Sequence, residues 1–260
     1  MKDAYGDHVK VALDGHVAVV TLDRPPHNFV SVEFMADLAD AMEAADCANG
    51  VRAIVLQSEG RTFSGGADFS SPTDKVASGM GGVGDLYTQA VRLFSIEKPI
   101  VAAVQGSAVG AGLGLALVAD FRVASPEARF VANFVKLAFH PGFGLTHTLP
   151  RVVGQQRASL MFLTGRRIKA EEALGWGLVD ELVPAEDLRG AALALAKEIA
   201  ENAPLAVVST RKTLRAQLAA DVKAQTAIEH EAQSILRATE DFQEGVRSVA
   251  ERRAGNFQGR

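Results

Sequence analysis

The 260-residue chain lacks several features that mark particular protein classes. It has a single cysteine, Cys47, which excludes an intramolecular disulfide and predicts a reducing, cytoplasmic environment. The most apolar stretch, residues 100–119, is interrupted by Gln105 and by five glycines or serines, so no membrane span is expected. The opening residues, MKDAYGDHVK, lack the apolar core of a secretion signal.

An excess of positive charge is also missing. The chain has 27 Lys and Arg against 31 Asp and Glu, a formal net charge of −4, whereas nucleic-acid-binding proteins usually carry a basic excess. The six histidines are scattered, and Cys47 has no partner at metal-ligand spacing. We therefore expect no nucleic-acid partner, no membrane partner and no metal site.

Three common motifs are absent. The segment GAGLG at 110–114 fails the dinucleotide pattern G-x-G-x-x-G, because Leu115 stands where the third glycine belongs. The segment TFSGG at 62–66 is not the G-x-S-x-G of serine hydrolases, and there is no P-loop. These absences argue against a nicotinamide enzyme, a serine hydrolase and a nucleoside triphosphatase.

The patterns that are present predict an α/β protein. Alternating residues at 9–13 and a strand at 17–22, joined by Asp14-Gly15, indicate a β-hairpin. Ser31 is a helix cap for residues up to about 48, with Cys47 expected as a small buried residue. A strand at 51–57 follows, and the order strand, helix, strand favours parallel pairing.

Glycine is concentrated in one part of the chain, with twenty of the 24 before residue 190. Two glycine-rich loops, 60–68 and 106–112, each follow a predicted buried strand, and a third, 79–84, is expected to be mobile. Such loops free backbone amides to point at a ligand, and two converging amides could hold an oxyanion. A strand is predicted at 178–183 and ends at Pro184. The sequence beyond Pro184 is Ala-rich and charged, as is typical of helices, which predicts an α/β core at 1–195 and a helical region at 196–260.

Together these segments resemble the crotonase superfamily, the enoyl-CoA hydratase/isomerase family, over nearly the whole chain. The matching segments are LDRP at 22–25 with Asn28, FSGGAD at 63–68, KPIVAAVQG at 98–106 with GAG at 110–112, LTGR at 163–166 with AEEA at 170–173 and WGLV at 176–179, and EDFQEG at 240–245 with ERR at 251–253.

The resemblance implies a spiral of β-β-α turns with a C-terminal helical trimerisation region, assembled as a homotrimer or a dimer of trimers. It implies an acyl-CoA thioester as the substrate, with coenzyme A carried as part of that substrate and no separate cofactor. The backbone N–H groups of Ala67 and Ala111 would bind the thioester oxygen and stabilise an enolate. Four residues fall where the family lines its CoA groove: Pro26, His27, Asp68 and Phe69.

The chain departs from the family at the acid–base residues. The two glutamates of enoyl-CoA hydratases correspond to Gly114 and Phe134, neither of which can transfer a proton. His140, just before a Pro-Gly turn, is the candidate replacement because imidazole titrates near neutrality. The alternatives are a CoA-ester isomerase, hydrolase or decarboxylase that uses His140 or an acid from residues 79–85, and a catalytically silent CoA-ester-binding protein.

Overall fold

A computed structural model describes residues 1–67 and 82–260, which form eleven β-strands, ten α-helices and one 3-10 turn. The strands are β1 Ala4–Tyr5, β2 Val9–Asp14, β3 Val17–Leu22, β4 Ala53–Ser58, β5 Thr62–Ser64, β6 Ile100–Val104, β7 Ser107–Val109, β8 Phe121–Ala124, β9 Arg129–Val131, β10 Arg167–Lys169 and β11 Glu181–Leu182. The helices are α1 Val32–Cys47, α2 Gly82–Phe94, α3 Ala111–Val118, α4 Leu145–Val153, α5 Gln155–Thr164, α6 Ala170–Gly175, α7 Leu188–Ala200, α8 Pro204–Leu214, α9 Leu218–Arg237 and α10 Glu240–Ala250, and the 3-10 turn is Phe134–Leu137.

Two sheets organise the molecule. The larger has the order β1-β2-β3-β4-β6-β8-β11, with the predicted hairpin β2–β3 antiparallel and the strands from β3 onward parallel. The smaller has the order β10-β9-β7-β5. Successive units place one strand in the larger sheet, the next in the smaller sheet and then a helix, as in β6, β7 and α3. This repeat confirms the predicted α/β fold class.

Both faces of the larger sheet are covered, because successive residues of a strand point to opposite sides. In β4, Ile54 and Leu56 join the main core, whereas Ala53 and Val55 face α7. Helix α7 meets them with an i, i+4 stripe, which consists of Leu188, Ala192, Ala196 and Ala200. The predicted domain division at residue 195 falls inside α7, and it stays a prediction.

Helix α1 begins where its sequence predicts. The Ser31 hydroxyl accepts a hydrogen bond from Phe34 N at 3.2 Å, and buried residues continue to Ala45. The expectation that Cys47 is buried is wrong, since Cys47 is exposed. Cys47 lies two residues beyond Ala45, which rotates it by about 200° around the helix and away from the core.

Two further local predictions differ from the structure. Gly82 and Gly84 lie in the first turn of α2 rather than in a loop, and residues 79–81 are outside the described part of the chain. The strand predicted at 178–183 is shortened to β11, Glu181–Leu182. Strand β11 pairs in parallel with only the last two residues of β8, Val123 and Ala124.

A buried ionic cluster fastens α8 to the sheet. Asp120 accepts hydrogen bonds from Arg211 Nε and Arg215 Nη1, each at 2.8 Å, and from Ile100 N at 2.8 Å. Burial opposes ionisation of Asp120, but the two guanidinium groups outweigh it and lower the pKa of this carboxyl. The cluster therefore depends on a charged Asp120.

The described helices include none that combines the length and the apolar character needed to cross a membrane.

Candidate functional site

Strand β5 lies inside the predicted first glycine-rich loop, and the part of that loop after β5, Gly65 to Ala67, is held by the segment before α1. Gly65 N donates to His27 O at 2.8 Å, and Val30 N donates to Gly66 O at 2.8 Å. The buried Ser64 hydroxyl donates to Asn28 O at 2.8 Å. These bonds fix the loop that carries the Ala67 amide.

The side chain of Asn28 fixes the conformation of the segment after β3. Its side-chain NH₂ donates to Glu59 O at 2.9 Å and Thr62 O at 2.8 Å, and its Oδ1 accepts from Arg24 N at 2.8 Å. The residue is 2% exposed and has a φ of 50°, a left-handed conformation that asparagine tolerates. Asn28 thus ties the β3 end to the first loop, a role that the motif spacing did not reveal.

The predicted CoA-groove residues fall into two groups. Pro26 and His27 are exposed beside the first loop, with His27 Nδ1 3.4 Å from the Thr62 hydroxyl. Asp68 and Phe69 lie outside the described residues. The structure therefore locates Pro26 and His27 on the surface next to Gly65.

The second loop brings Ala111 to the first. Ala111 is the opening residue of α3, so its amide has no partner within the helix and lies at the positive end of the helix dipole. A Cβ placed on Gly66, which has a φ of +77°, would lie 2.4 Å from Val109 O and 3.4 Å from Ala111 N. The loops pack this closely because Gly66 has no side chain.

Ala67 and Ala111 both line one cavity of about 370 Å³. Its remaining walls are mainly apolar, formed by Phe29, Leu86, Val109, Phe134, Leu137, Phe139, Phe143, Val246, Val249 and Ala250. The side chains with polar groups on the described lining are Tyr87, Asn133, Gln233, Arg237 and Arg247. Within the described ranges, the cavity wall contains no carboxylate and no imidazole.

Gly114 and Phe134, the two positions at which the resemblance predicts a departure from the hydratase glutamates, carry no ionisable group. Phe134 lines the cavity as the first residue of the 3-10 turn. Gly114 is buried in α3, and a Cβ there would lie 2.3 Å from Cδ1 of Phe143. The Phe143 ring therefore occupies the space that any side chain at position 114 would need.

We expect Gly114→Ala to lower the free energy of unfolding by about 1–3 kcal/mol, because the new methyl group overlaps Phe143. In a Phe143→Ala background the same change should cost far less, since the ring is gone. Urea unfolding of the four proteins measures this coupling. Gly190→Ala on α7 is the matched control: nothing lies within 4 Å of its Cβ position, so it should be neutral or stabilising. An equal cost in both Phe143 backgrounds would refute the overlap.

A hydrogen-bond chain crosses the cavity wall beside Phe143. The Tyr87 hydroxyl donates to Gln233 Oε1 at 2.7 Å, and Gln233 Nε2 donates to His140 O at 2.8 Å. Burial, with the nearby Glu229 carboxyl, raises the pKa of Tyr87 well above its usual range. The phenol therefore stays protonated at neutral pH and acts as a donor.

His140 lies next to the cavity wall in sequence but is not one of the cavity-lining residues. It is half-buried, and its Nδ1 lies 2.7 Å from Pro141 O. Because a carbonyl oxygen can only accept, the neutral ring carries its proton on Nδ1, which leaves Nε2 as the atom able to take up a proton. Its neighbours Phe139 and Gly142 do line the cavity.

Glu229 of α9 supports the turn that carries Phe143. It is fully buried and accepts hydrogen bonds from Gly144 N at 2.7 Å, Thr146 N at 3.0 Å and the Thr146 hydroxyl at 2.6 Å. Burial raises its pKa, while these hydrogen bonds favour the charged form. The carboxyl group caps the start of α4 and fixes the turn before it.

Asp85, the acid predicted near the third glycine-rich loop, is exposed in the first turn of α2. Among residues 1–67 and 82–260, no group of three or more His, Cys, Asp or Glu side chains is arranged to hold a metal ion.

Known proteins resemble the chain over nearly its full length. A family model described as enoyl-CoA hydratase/isomerase matches residues 13–260. The (E)-benzylidenesuccinyl-CoA hydratase of Thauera aromatica is 37% identical over 258 residues, which is 96% of this chain and 99% of that protein. The 2,3-dehydroadipyl-CoA hydratase of Escherichia coli K12 is 34% identical over 252 residues, 96% of this chain and 98% of that protein.

The fold is shared with solved structures. An enoyl-CoA hydratase/isomerase from Pseudoalteromonas atlantica superposes with a TM-score of 0.86 at 31% identity, covering 97% of this chain and 100% of that one. An enoyl-CoA hydratase from Mycobacterium avium subsp. paratuberculosis superposes with a TM-score of 0.84 at 29% identity, covering 96% and 98%. These matches confirm the predicted crotonase-type arrangement of strand, strand and helix.

Proposed function

Because the chain belongs to the enoyl-CoA hydratase/isomerase family, we propose that it adds water to, or moves, a double bond conjugated to a CoA thioester. It is an acyl-CoA-binding enzyme of the hydratase/isomerase type, a lyase or an isomerase. Both reactions pass through an enolate in which negative charge develops on the thioester oxygen.

The observation that carries this proposal is the meeting of two backbone loops at one cavity. Ala67 and Ala111 line the same space, and Gly66 brings the loops into contact. In the proposed mechanism their N–H groups donate to the thioester oxygen, and the α3 dipole adds positive potential at Ala111. Losing one such donor typically costs about 3 kcal/mol of transition-state stabilisation.

Proton transfer needs a group that the described cavity wall does not supply. We propose His140 for this role, because its Nε2 is the basic atom of the neutral ring and its segment borders the cavity. Pro26, His27, Asp68 and Phe69 are proposed to contact the CoA portion of the substrate, and no separate cofactor is proposed.

Thermal unfolding and turnover, measured with a panel of acyl-CoA esters, test the function. We expect at least one ester to raise the melting temperature, and an enoyl-CoA to lose the absorbance of its conjugated thioester when protein is added. His140→Ala should slow turnover while the stabilisation by the ester remains. No stabilisation by any CoA ester would contradict the acyl-CoA function, and stabilisation without turnover would favour the silent binder. Unchanged turnover in His140→Ala would remove His140 from the mechanism.

We also propose assembly as a homotrimer or a dimer of trimers through the C-terminal helices. Large apolar side chains on α8 and α9 are exposed in the single chain, at 85% for Leu205, 74% for Leu214, 59% for Ile228 and 67% for Ile235. Such residues favour burial against another surface, which supports an interface between copies of this chain.

A further inference from the structure

Positive charge lines the cavity that holds the Ala67 and Ala111 amides. Among the described lining residues two side chains are charged, and both are arginines, Arg237 and Arg247. The rest of the described wall is mostly aliphatic and aromatic. An apolar cavity wall with cationic groups favours a ligand that is itself largely apolar but carries a negative charge.

Arg237 is the better placed of the two. It is the last residue of α9 and is half-buried, whereas Arg247 is exposed to solvent. The guanidinium carbon of Arg237 lies 5.1 Å from the ring centre of Phe139 and 5.3 Å from that of Phe242. These ring contacts hold the guanidinium group at the cavity wall.

The chemistry of a guanidinium group indicates which kind of anionic group it would bind. Its planar donors match a carboxylate in a two-point hydrogen bond, and it keeps its charge when partly buried. Coenzyme A itself carries phosphates, but these lie at the far end of the pantetheine arm from the thioester. A cavity of about 370 Å³ next to the two amides is of a size for an acyl group rather than a nucleotide.

We propose that the substrate is the CoA thioester of a dicarboxylic acid, with its thioester oxygen at the Ala67 and Ala111 amides and its second carboxylate at Arg237. This inference rests on the proposed function and names its substrate class. In this proposal Arg237 distinguishes acyl groups that carry a carboxylate from those that do not. The backbone amides bind the thioester oxygen, which is the same in every CoA thioester.

Isothermal titration with saturated esters tests the selection without turnover. The probes are succinyl-, glutaryl- and adipyl-CoA, each compared with butyryl-, valeryl- or hexanoyl-CoA of the same carbon number. We expect at least one dicarboxylic ester to bind about tenfold or more tightly than its partner, the effect of one charge-assisted hydrogen bond. Arg237→Met should abolish this preference, Arg237→Lys should keep part of it, and Arg151→Gln on the exposed side of α4 should leave it intact.

Three results would overturn the proposal. Equal affinity of the wild-type protein for every matched pair would remove the carboxylate preference and leave the acyl-CoA function standing. An equal loss of affinity for both members of a pair, and for free coenzyme A, in Arg237→Met would assign Arg237 to a phosphate. Failure of every CoA ester to bind would remove both this inference and the proposed function. Titration of the wild-type protein with matched pairs of esters tests the carboxylate preference even if Arg237→Met fails to fold.

Discussion

Replacing Ala111 by proline is expected to lower kcat/KM for an enoyl-CoA by about 10²–10³-fold. Proline removes the N–H group that we assign to the thioester oxygen, yet it suits the first position of a helix, where that N–H has no helical partner. Gly110, with φ 54° and ψ −116°, has the mirror image of the extended conformation that residues before proline prefer, and glycine adopts it freely. The helix should therefore survive while the donor is lost.

The control is Ala111→Gly, which keeps the N–H group and should retain most of the activity. Circular dichroism and melting temperature check that both variants fold. If Ala111→Pro folded and kept wild-type kcat/KM, the Ala111 amide would have no part in the reaction.

Asp120→Asn is expected to lower the free energy of unfolding by about 3–5 kcal/mol, because it leaves Arg211 and Arg215 without their common counter-charge. Both arginine side chains are almost fully buried, at 8% and 14% exposure, so water cannot replace the carboxylate easily. Urea unfolding at pH 7 measures the difference. Asp14→Asn is the matched control, since its 2.7 Å pair with Lys197 is nearly half exposed and should contribute about 0.5 kcal/mol or less.

The pH dependence of the free energy of unfolding tests the ionic cluster around Asp120 independently. The pKa of Asp120 is lowered in the folded state, so the folded chain binds its proton less readily than the unfolded chain does. Its contribution is present above the ordinary aspartate pKa and is lost as the pH falls through the lowered value. A wild-type acid transition no steeper than that of Asp120→Asn would contradict this assignment.

Local sequence patterns predict the framework well. The hairpin β2–β3, the Ser31 cap of α1 and the parallel pairing of β3 with β4 all follow from short-range signals. The wrong predictions concern features that depend on tertiary packing rather than on local sequence. The last turn of α1 points Cys47 outward, and β11 pairs with only two of the four residues of β8.

The candidate site also has some features that the sequence predicts and others that it does not. The glycine-rich loops could be found from the sequence because backbone chemistry needs small residues at fixed positions. Tyr87 and Gln233 could not, since they are 146 positions apart and meet only when α9 packs on α2. Nor does any pattern reveal that Phe143 fills the space above Gly114 or that Arg237 reaches the cavity wall.

Isotope-edited infrared spectroscopy of a bound acyl-CoA tests the central claim most directly. With a ¹³C label in the thioester carbonyl, its stretching band can be separated from the protein amide bands. Two N–H donors at the oxygen should polarise the bond, so we predict a shift to lower frequency on binding, reduced in Ala111→Pro and retained in Ala111→Gly. A bound carbonyl that absorbs at its frequency in water, or an equal shift in both variants, would contradict an oxyanion hole formed with the Ala111 amide.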